Sequence, residues 1–134
     1  KFEKEDLMIL NRYKNNLSKI RDKIDNQDIN FYIDFIINSL FEANKYFNDQ
    51  EPWKKKADTI RLNTIVYTTL EIVRKISYLL YPIIPQSSVN ALKIFNLNDN
   101  DINLTSIENN EFLSKGTKIN KIDILFKKID KNND

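Results

Sequence analysis

Histidine and cysteine are absent from this 134-residue chain, and glycine occurs once, as Gly116. Without cysteine there are no disulfides, thiolate metal ligands or cysteine nucleophiles. Without histidine, the side chain that ordinarily titrates near neutral pH is missing, and so is the commonest metal ligand. A single glycine cannot build a glycine-rich loop that cradles phosphates. Long apolar runs are missing too: none approaches the roughly 20 residues that cross a bilayer. The opening Lys1-Phe2-Glu3-Lys4-Glu5-Asp6 lacks the apolar stretch of a secretory signal, so no membrane partner is expected. It also lacks an initiating methionine, and the chain reads as a piece of a longer protein. The 19 acidic residues form no recognisable acid/base constellation, and Glu5-Asp6 and the Asp22/Asp25 pair read as surface patterns. Catalytic residues, metal ligands and a cofactor are therefore not expected within the chain.

Hydrophobic residues make up 41% and charged residues 30%, the balance of a water-soluble globular domain with one core. The net charge of +2 gives no global positive field, so contact with nucleic acid would have to come from a local patch.

Leu7, Leu10, Tyr13, Leu17, Ile20 and Ile24 recur at helical spacing and predict a first amphipathic helix, ending at the polar Asp25-Asn26-Gln27. Asp28 can cap a second helix. Its apolar positions, Ile29, Tyr32, Ile33, Phe35, Ile36, Ile37, Leu40, Phe41 and Phe47, predict burial on more than one side. Asn44 is expected on the core side and, with Asn48, is expected to orient the following loop. A third helix from Asp58 should be the most buried, with Arg61, Glu71, Arg74 and Lys75 as its polar stripe. Pro82 ends it. Pro85 suits the first turn of a fourth helix, carrying Val89, Leu92 and Phe95. The fold class is thus all-α, a bundle of about four helices over residues 1–103, followed by an extended C-terminal tail over 104–134. In that tail Gly116-Thr117 marks a turn and Lys118 to Ile124 alternates apolar with polar residues. One short extended segment makes no stable sheet, so the tail should pack along the bundle or pair with other sequence.

Between the second and third helices stands Asn48-Asp49-Gln50-Glu51-Pro52-Trp53-Lys54-Lys55-Lys56, which holds the only tryptophan. Pro52 must end the second helix and can open a new turn. An aromatic ring beside cations can stack an unpaired base while the cations engage phosphates. Trp53 with Lys54, Lys55 and Lys56 supplies both elements. Locally, a tryptophan anchored in the core and three solvated lysines fit as well.

The wider pattern resembles the anticodon-binding domain of bacterial-type methionyl-tRNA synthetases. The resemblance rests on Asn44-Lys45-Tyr46-Phe47, Glu51-Pro52-Trp53, the Tyr67-x-x-Leu70-Glu71-x-x-Arg74 helix and Leu80-x-Pro82-x-x-Pro85. Ser88-Val89, Phe95-Asn96-Leu97, Gly116-Thr117-Lys118-Ile119 and Leu125-Phe126 extend it across roughly residues 28–126. It implies that Trp53 stacks on the first anticodon base, with Pro52 shaping the loop. It also implies a tRNA partner, a catalytic domain in the same parent chain, and cytoplasmic aminoacylation of methionine-accepting tRNA with ATP and magnesium. The family's ATP-binding signatures are absent from these residues. The family further uses an Asn and an Arg on an earlier helix for base recognition. Asn11-Arg12 has those letters but falls on what matches the second helix of the family domain, so the reading helix is expected upstream. Related synthetases for leucine, isoleucine, valine and cysteine share the bundle layout, and a non-enzymatic helical interaction module remains the alternative of another class.

Overall fold

The computed structural model describes residues 1–97, 113–121 and 125–126. Four α-helices occupy the first of these segments: α1 (Lys4–Asp25), α2 (Ile29–Gln50), α3 (Thr59–Leu80) and α4 (Pro85–Leu92). Short 3₁₀ turns follow α2 at Pro52–Lys54 and α4 at Lys93–Phe95, and the described residues contain no strand. The boundary expected between bundle and tail at 103/104 lies outside the described residues.

The helix limits follow local chemistry. Asp28 caps α2 by accepting the Phe31 N–H at 3.1 Å, and Asp58 caps α3 through the Arg61 N–H at 2.9 Å. Pro85 sits in the first turn of α4, where its missing N–H costs nothing. The three long helices run antiparallel in sequence order. The start of α1 meets the end of α2 where the Tyr46 hydroxyl donates to Asp6. The start of α2 meets the end of α3 where the Tyr32 hydroxyl donates to the Leu79 carbonyl. Helix α3 packs on all three others and carries more buried residues than any of them. Leu10, Tyr13, Leu17 and Ile20 of α1, Tyr32, Phe35 and Ile36 of α2, Ile65, Ile72, Ile76 and Leu79 of α3, and Leu92 and Phe95 form one core.

Two expectations are corrected. The core face of α2 is narrow: Tyr32, Phe35, Ile36, Ser39 and Tyr46 are buried, whereas Ile33, Ile37, Leu40 and Phe41 are exposed. Among the described residues α2 packs mainly on α1 and α3, and these four positions lie off its buried face. The polar stripe of α3 is the opposite case. Arg61, Glu71, Arg74 and Lys75 are all buried, because they lie on faces of α3 that meet other elements, whereas Ile60, Val66 and Val73 are exposed. Their charges are accommodated by partners, as a buried ion requires. Arg74 donates to Glu71 at 2.5 and 3.2 Å. Lys75 donates to the Leu10 carbonyl at 3.2 Å and lies 5.9 Å from the Tyr13 ring centre. Burial pushes its ammonium below the ordinary lysine range.

Glu71 also fastens the segment 113–121 to the bundle. Its carboxylate accepts the Leu113 N–H at 3.1 Å, and the Tyr67 hydroxyl donates to the Leu113 carbonyl at 2.7 Å. Gly116, at φ +81°, turns the chain. The segment then meets the end of α4, where Asn120 N–H donates to the Ile94 carbonyl at 2.9 Å. The Asn96 amide donates to the Lys118 carbonyl at 2.7 Å. The sequence motif Tyr67…Glu71…Arg74 is thus a device for holding the segment that follows α4.

Replacing Glu71 by alanine strips the carboxylate from beside the buried Arg74 and frees the Leu113 N–H. We expect a loss of roughly 3–5 kcal/mol in urea unfolding, the usual cost of breaking a buried pair from one side. A loss below about 1 kcal/mol, the level of an exposed ion pair, would contradict the buried-pair description.

Candidate nucleic-acid interface

The loop from Glu51 to Asp58 is fixed residue by residue. Glu51 takes the left-handed conformation at φ 45°, ψ 56°, which costs a non-glycine residue roughly 1–2 kcal/mol. Three hydrogen bonds offset this. Its N–H donates to the Asn48 carbonyl at 3.2 Å, its carbonyl accepts the Lys54 N–H at 2.9 Å, and its carboxylate accepts Lys54 Nζ at 2.6 Å. Pro52 is buried and opens the 3₁₀ turn. Its carbonyl accepts the Lys55 N–H at 3.1 Å, and the Lys55 carbonyl accepts the Asp58 N–H at 3.0 Å. A proline with fixed φ beneath a hydrogen-bonded turn leaves Trp53 little backbone freedom.

Trp53 is 50% exposed. The core-anchor reading therefore fails, since the indole is on the surface. Its ring neighbour is Phe47, with centroids 6.1 Å apart and planes tilted by 58°, so Phe47 braces the half-exposed indole. The three lysines differ. Lys54 pairs with Glu51, Lys55 donates to the Gln50 carbonyl, and Lys56 is exposed.

Asn44 and Asn48 are both exposed, which corrects the expected core-side position of Asn44. Asn44 lies two residues from the buried Tyr46, some 200° around a helix of 3.6 residues per turn. It lines an apolar cleft of about 350 Å³ between α2, α3 and α4 with Phe47, Val73 and Leu80. The Asn48 backbone carbonyl accepts the Glu51 N–H at 3.2 Å. Arg12 of the Asn11-Arg12 pair is engaged elsewhere, on Glu42 and 5.2 Å from the Phe35 ring centre.

Beneath the loop lies a buried ionic group that the sequence reading assigned to the surface. Asp6 is fully buried. Its carboxylate accepts Arg61 Nη1 at 2.6 Å and Nη2 at 3.1 Å, the Tyr46 hydroxyl at 2.5 Å and the Glu3 N–H at 2.8 Å. Arg61 Nη2 also donates to Gln50 Oε1 at 2.6 Å. Burial raises the Asp6 carboxyl, but the Arg61, Tyr46 and Glu3 hydrogen bonds and the guanidinium charge together bring it below its ordinary 3.8. The hydrogen bonds to Asp6 raise Arg61 in turn, and burial followed by the bond to Asp6 raises Tyr46. The spacing signal existed: Asp6, Leu10, Tyr13, Leu17 and Ile20 share one helical face.

Chemically, the site offers an aromatic face, adjacent cations and a stiff support. No group of three or more His, Cys, Asp or Glu among the described residues could hold a metal ion, and no described helix is long and apolar enough to cross a membrane.

A family model for the anticodon binding domain of methionyl tRNA ligase matches residues 2–134. The methionine–tRNA ligase of Mycobacterium leprae is 32% identical over 111 residues, covering 79% of this chain and 21% of that protein. The enzyme of Brucella suis is 35% identical over 94 residues, covering 69% and 18%. Among solved structures, Mycobacterium tuberculosis methionyl-tRNA synthetase in its apo form superposes with a TM-score of 0.86 at 27% identity, over 95% of this chain and 26% of that one. The same enzyme with methionyl-adenylate gives 0.87, over 96% and 26%. The chain thus spans about a fifth of the length of these curated relatives.

Because the folded Asp6 titrates below its unfolded value, its stabilisation is complete above roughly pH 4 and is lost as pH falls through the lowered value. Asp6→Asn should therefore destabilise the chain by about 3–5 kcal/mol at pH 7, with the gap to the parent narrowing in more acid solution. Urea unfolding at pH 7 and pH 3 checks this. A gap of equal size at both would contradict it.

Proposed function

The chain belongs to the family of anticodon-binding domains of methionyl-tRNA ligase, and from that membership we propose that its Pro52–Trp53 loop receives the anticodon of methionine-accepting tRNA. The observation that carries the proposal is a half-exposed indole on a hydrogen-bonded loop, at the residue the family motif assigns to stacking. Trp53 stacks on an unpaired anticodon base, and Pro52 fixes the backbone that presents it. Lys54, Lys55 and Lys56 contact phosphates. Lys54 and Lys55 must exchange an internal partner to do so, which leaves Lys56 as the largest contributor. Asn44 and Asn48 form the approach to the loop, Asn48 by its carbonyl. Stacking accepts any base, so Trp53 provides affinity and not the choice of base.

The parent protein is a methionine–tRNA ligase, working in the cytoplasm, in which a catalytic domain on the same chain joins methionine to tRNA at the expense of ATP with magnesium. The solved relative that holds methionyl-adenylate supports this chemistry. The described residues do not fit ATP or its metal: they include one glycine, no histidine and no metal-binding cluster. This chain's part is to bind and orient tRNA.

Trp53→Ala should weaken tRNA binding by the parent roughly ten- to hundredfold, from about 1–3 kcal/mol of stacking per base, with the melting temperature little changed. Unaltered affinity in a folded variant would overturn the proposal. Replacing Lys54, Lys55 and Lys56 with alanine should flatten the salt dependence by about one unit of slope per lost phosphate contact. An unchanged slope would show that these lysines face only solvent.

A further inference from the structure

The two ends of the Trp53 loop are joined by one side-chain bridge. Gln50 is the last residue of α2 and Arg61 lies in the first turn of α3. Their side chains meet at 2.6 Å across eleven residues of sequence. The guanidinium is planar, and its two-pronged grip on Asp6 fixes that plane. Arg61 Nη2 is thereby aimed at Gln50 by a group on a third helix. Asp6 is itself held by Tyr46, one helical turn before Gln50 on α2. The position of α2's last turn relative to α3's first turn is therefore set by the side chains Gln50–Arg61–Asp6–Tyr46, closed through the backbone of α2's last turn, with the Glu3 carboxylate also 3.3 Å from Arg61 Nη2.

Everything between those two turns is short and stiff. Glu51 is left-handed, Pro52 is locked, and each following turn is closed by a backbone bond. Such a loop transmits the spacing of its ends to its tip instead of absorbing it. Gln50 stands at the rim, half-buried, outside the apolar core. Loss of its carbonyl oxygen disturbs the loop geometry without opening a cavity.

We propose that the Gln50–Arg61 bridge, braced by Asp6, is a positioning device for Trp53, fixing the orientation in which the indole faces RNA. Gln50 and Arg61 are positioning residues that act through the loop. The consequence for RNA rests on the anticodon reading above; the consequence for the ring does not.

The test uses the full parent protein labelled with 5-fluorotryptophan, with the Trp53 resonance assigned by its disappearance in Trp53→Phe. Gln50→Met keeps the length of the side chain and removes the acceptor. Gln50→Glu keeps an acceptor for Arg61. In Gln50→Met we expect the Trp53 fluorine signal to shift or split and tRNA affinity to fall about tenfold, the scale of one hydrogen bond to a charged group. The melting temperature should stay within a few degrees, as for a substitution outside the core. Gln50→Glu should restore both signal and affinity. An unmoved Trp53 signal in Gln50→Met overturns the proposal, whatever the RNA result. So does a moved signal with unchanged affinity in a protein where Trp53→Ala loses affinity. If Trp53→Ala keeps its affinity, the anticodon reading fails, and the fluorine signal still decides whether the bridge positions the ring.

Discussion

The Asp6–Arg61 pair ties three helix ends of this molecule together. It links the first turn of α1 to the first turn of α3, and through Tyr46 and Gln50 it reaches the last turns of α2. A carboxylate and a guanidinium taken out of water gain net stability only when geometry is good and the remaining polar atoms are satisfied. Both conditions hold. The guanidinium is engaged two-pronged, and the carboxylate also receives a hydroxyl and a backbone N–H. Removing any partner leaves a charge in a place that cannot solvate it, so the three helix ends hold one another. The loop that presents Trp53 springs from two of those ends.

The same logic recurs halfway along α3. Glu71, Arg74 and Lys75 are charges on the most enclosed helix, and Glu71 and Lys75 join it to other elements. Glu71 and Tyr67 hold Leu113, Arg74 neutralises Glu71, and Lys75 bonds the Leu10 carbonyl of α1. Apolar packing brings the helices together without direction. The buried polar contacts are directional and join named positions on different helices. This accounts for a bundle in which α2 leaves Ile33, Ile37, Leu40 and Phe41 uncovered and is still anchored at both ends, by Tyr32 and by Tyr46.

Most of the fold was legible in residue order. The period of Leu10, Tyr13, Leu17 and Ile20, the caps Asp28 and Asp58, and the prolines at 52, 82 and 85 set four helices and their limits, since each acts on its own neighbourhood. The buried charges were not legible as such. Asp6 meets partners 40 and 55 residues away, and an isolated acidic residue near a helix start has the same local signature whether it is solvated or buried. The α2 face failed for a related reason: its apolar residues surround the helix, and the sequence does not say which side finds a neighbour. At the site, the Pro-Trp pair and the lysine run were visible, whereas the exposure of the ring and the exchange partners of Lys54 and Lys55 required the fold. The family model and the methionine–tRNA ligase relatives agree with the family motif. The surface position of the indole removes the structural prediction of the interaction-module alternative.

Function then follows from a division of labour within a small region. Buried charge sets the ends of the loop, Pro52 and the left-handed Glu51 set its path, and Trp53 is left as a fixed aromatic face open to solvent. The most direct measurement is the change in Trp53 emission on adding tRNA, isolated as the difference between the parent protein and its Trp53→Phe variant. The account predicts quenching that saturates with methionine-accepting tRNA and vanishes when the anticodon loop is closed by a complementary oligonucleotide. Emission that stays unchanged at saturating tRNA would contradict it.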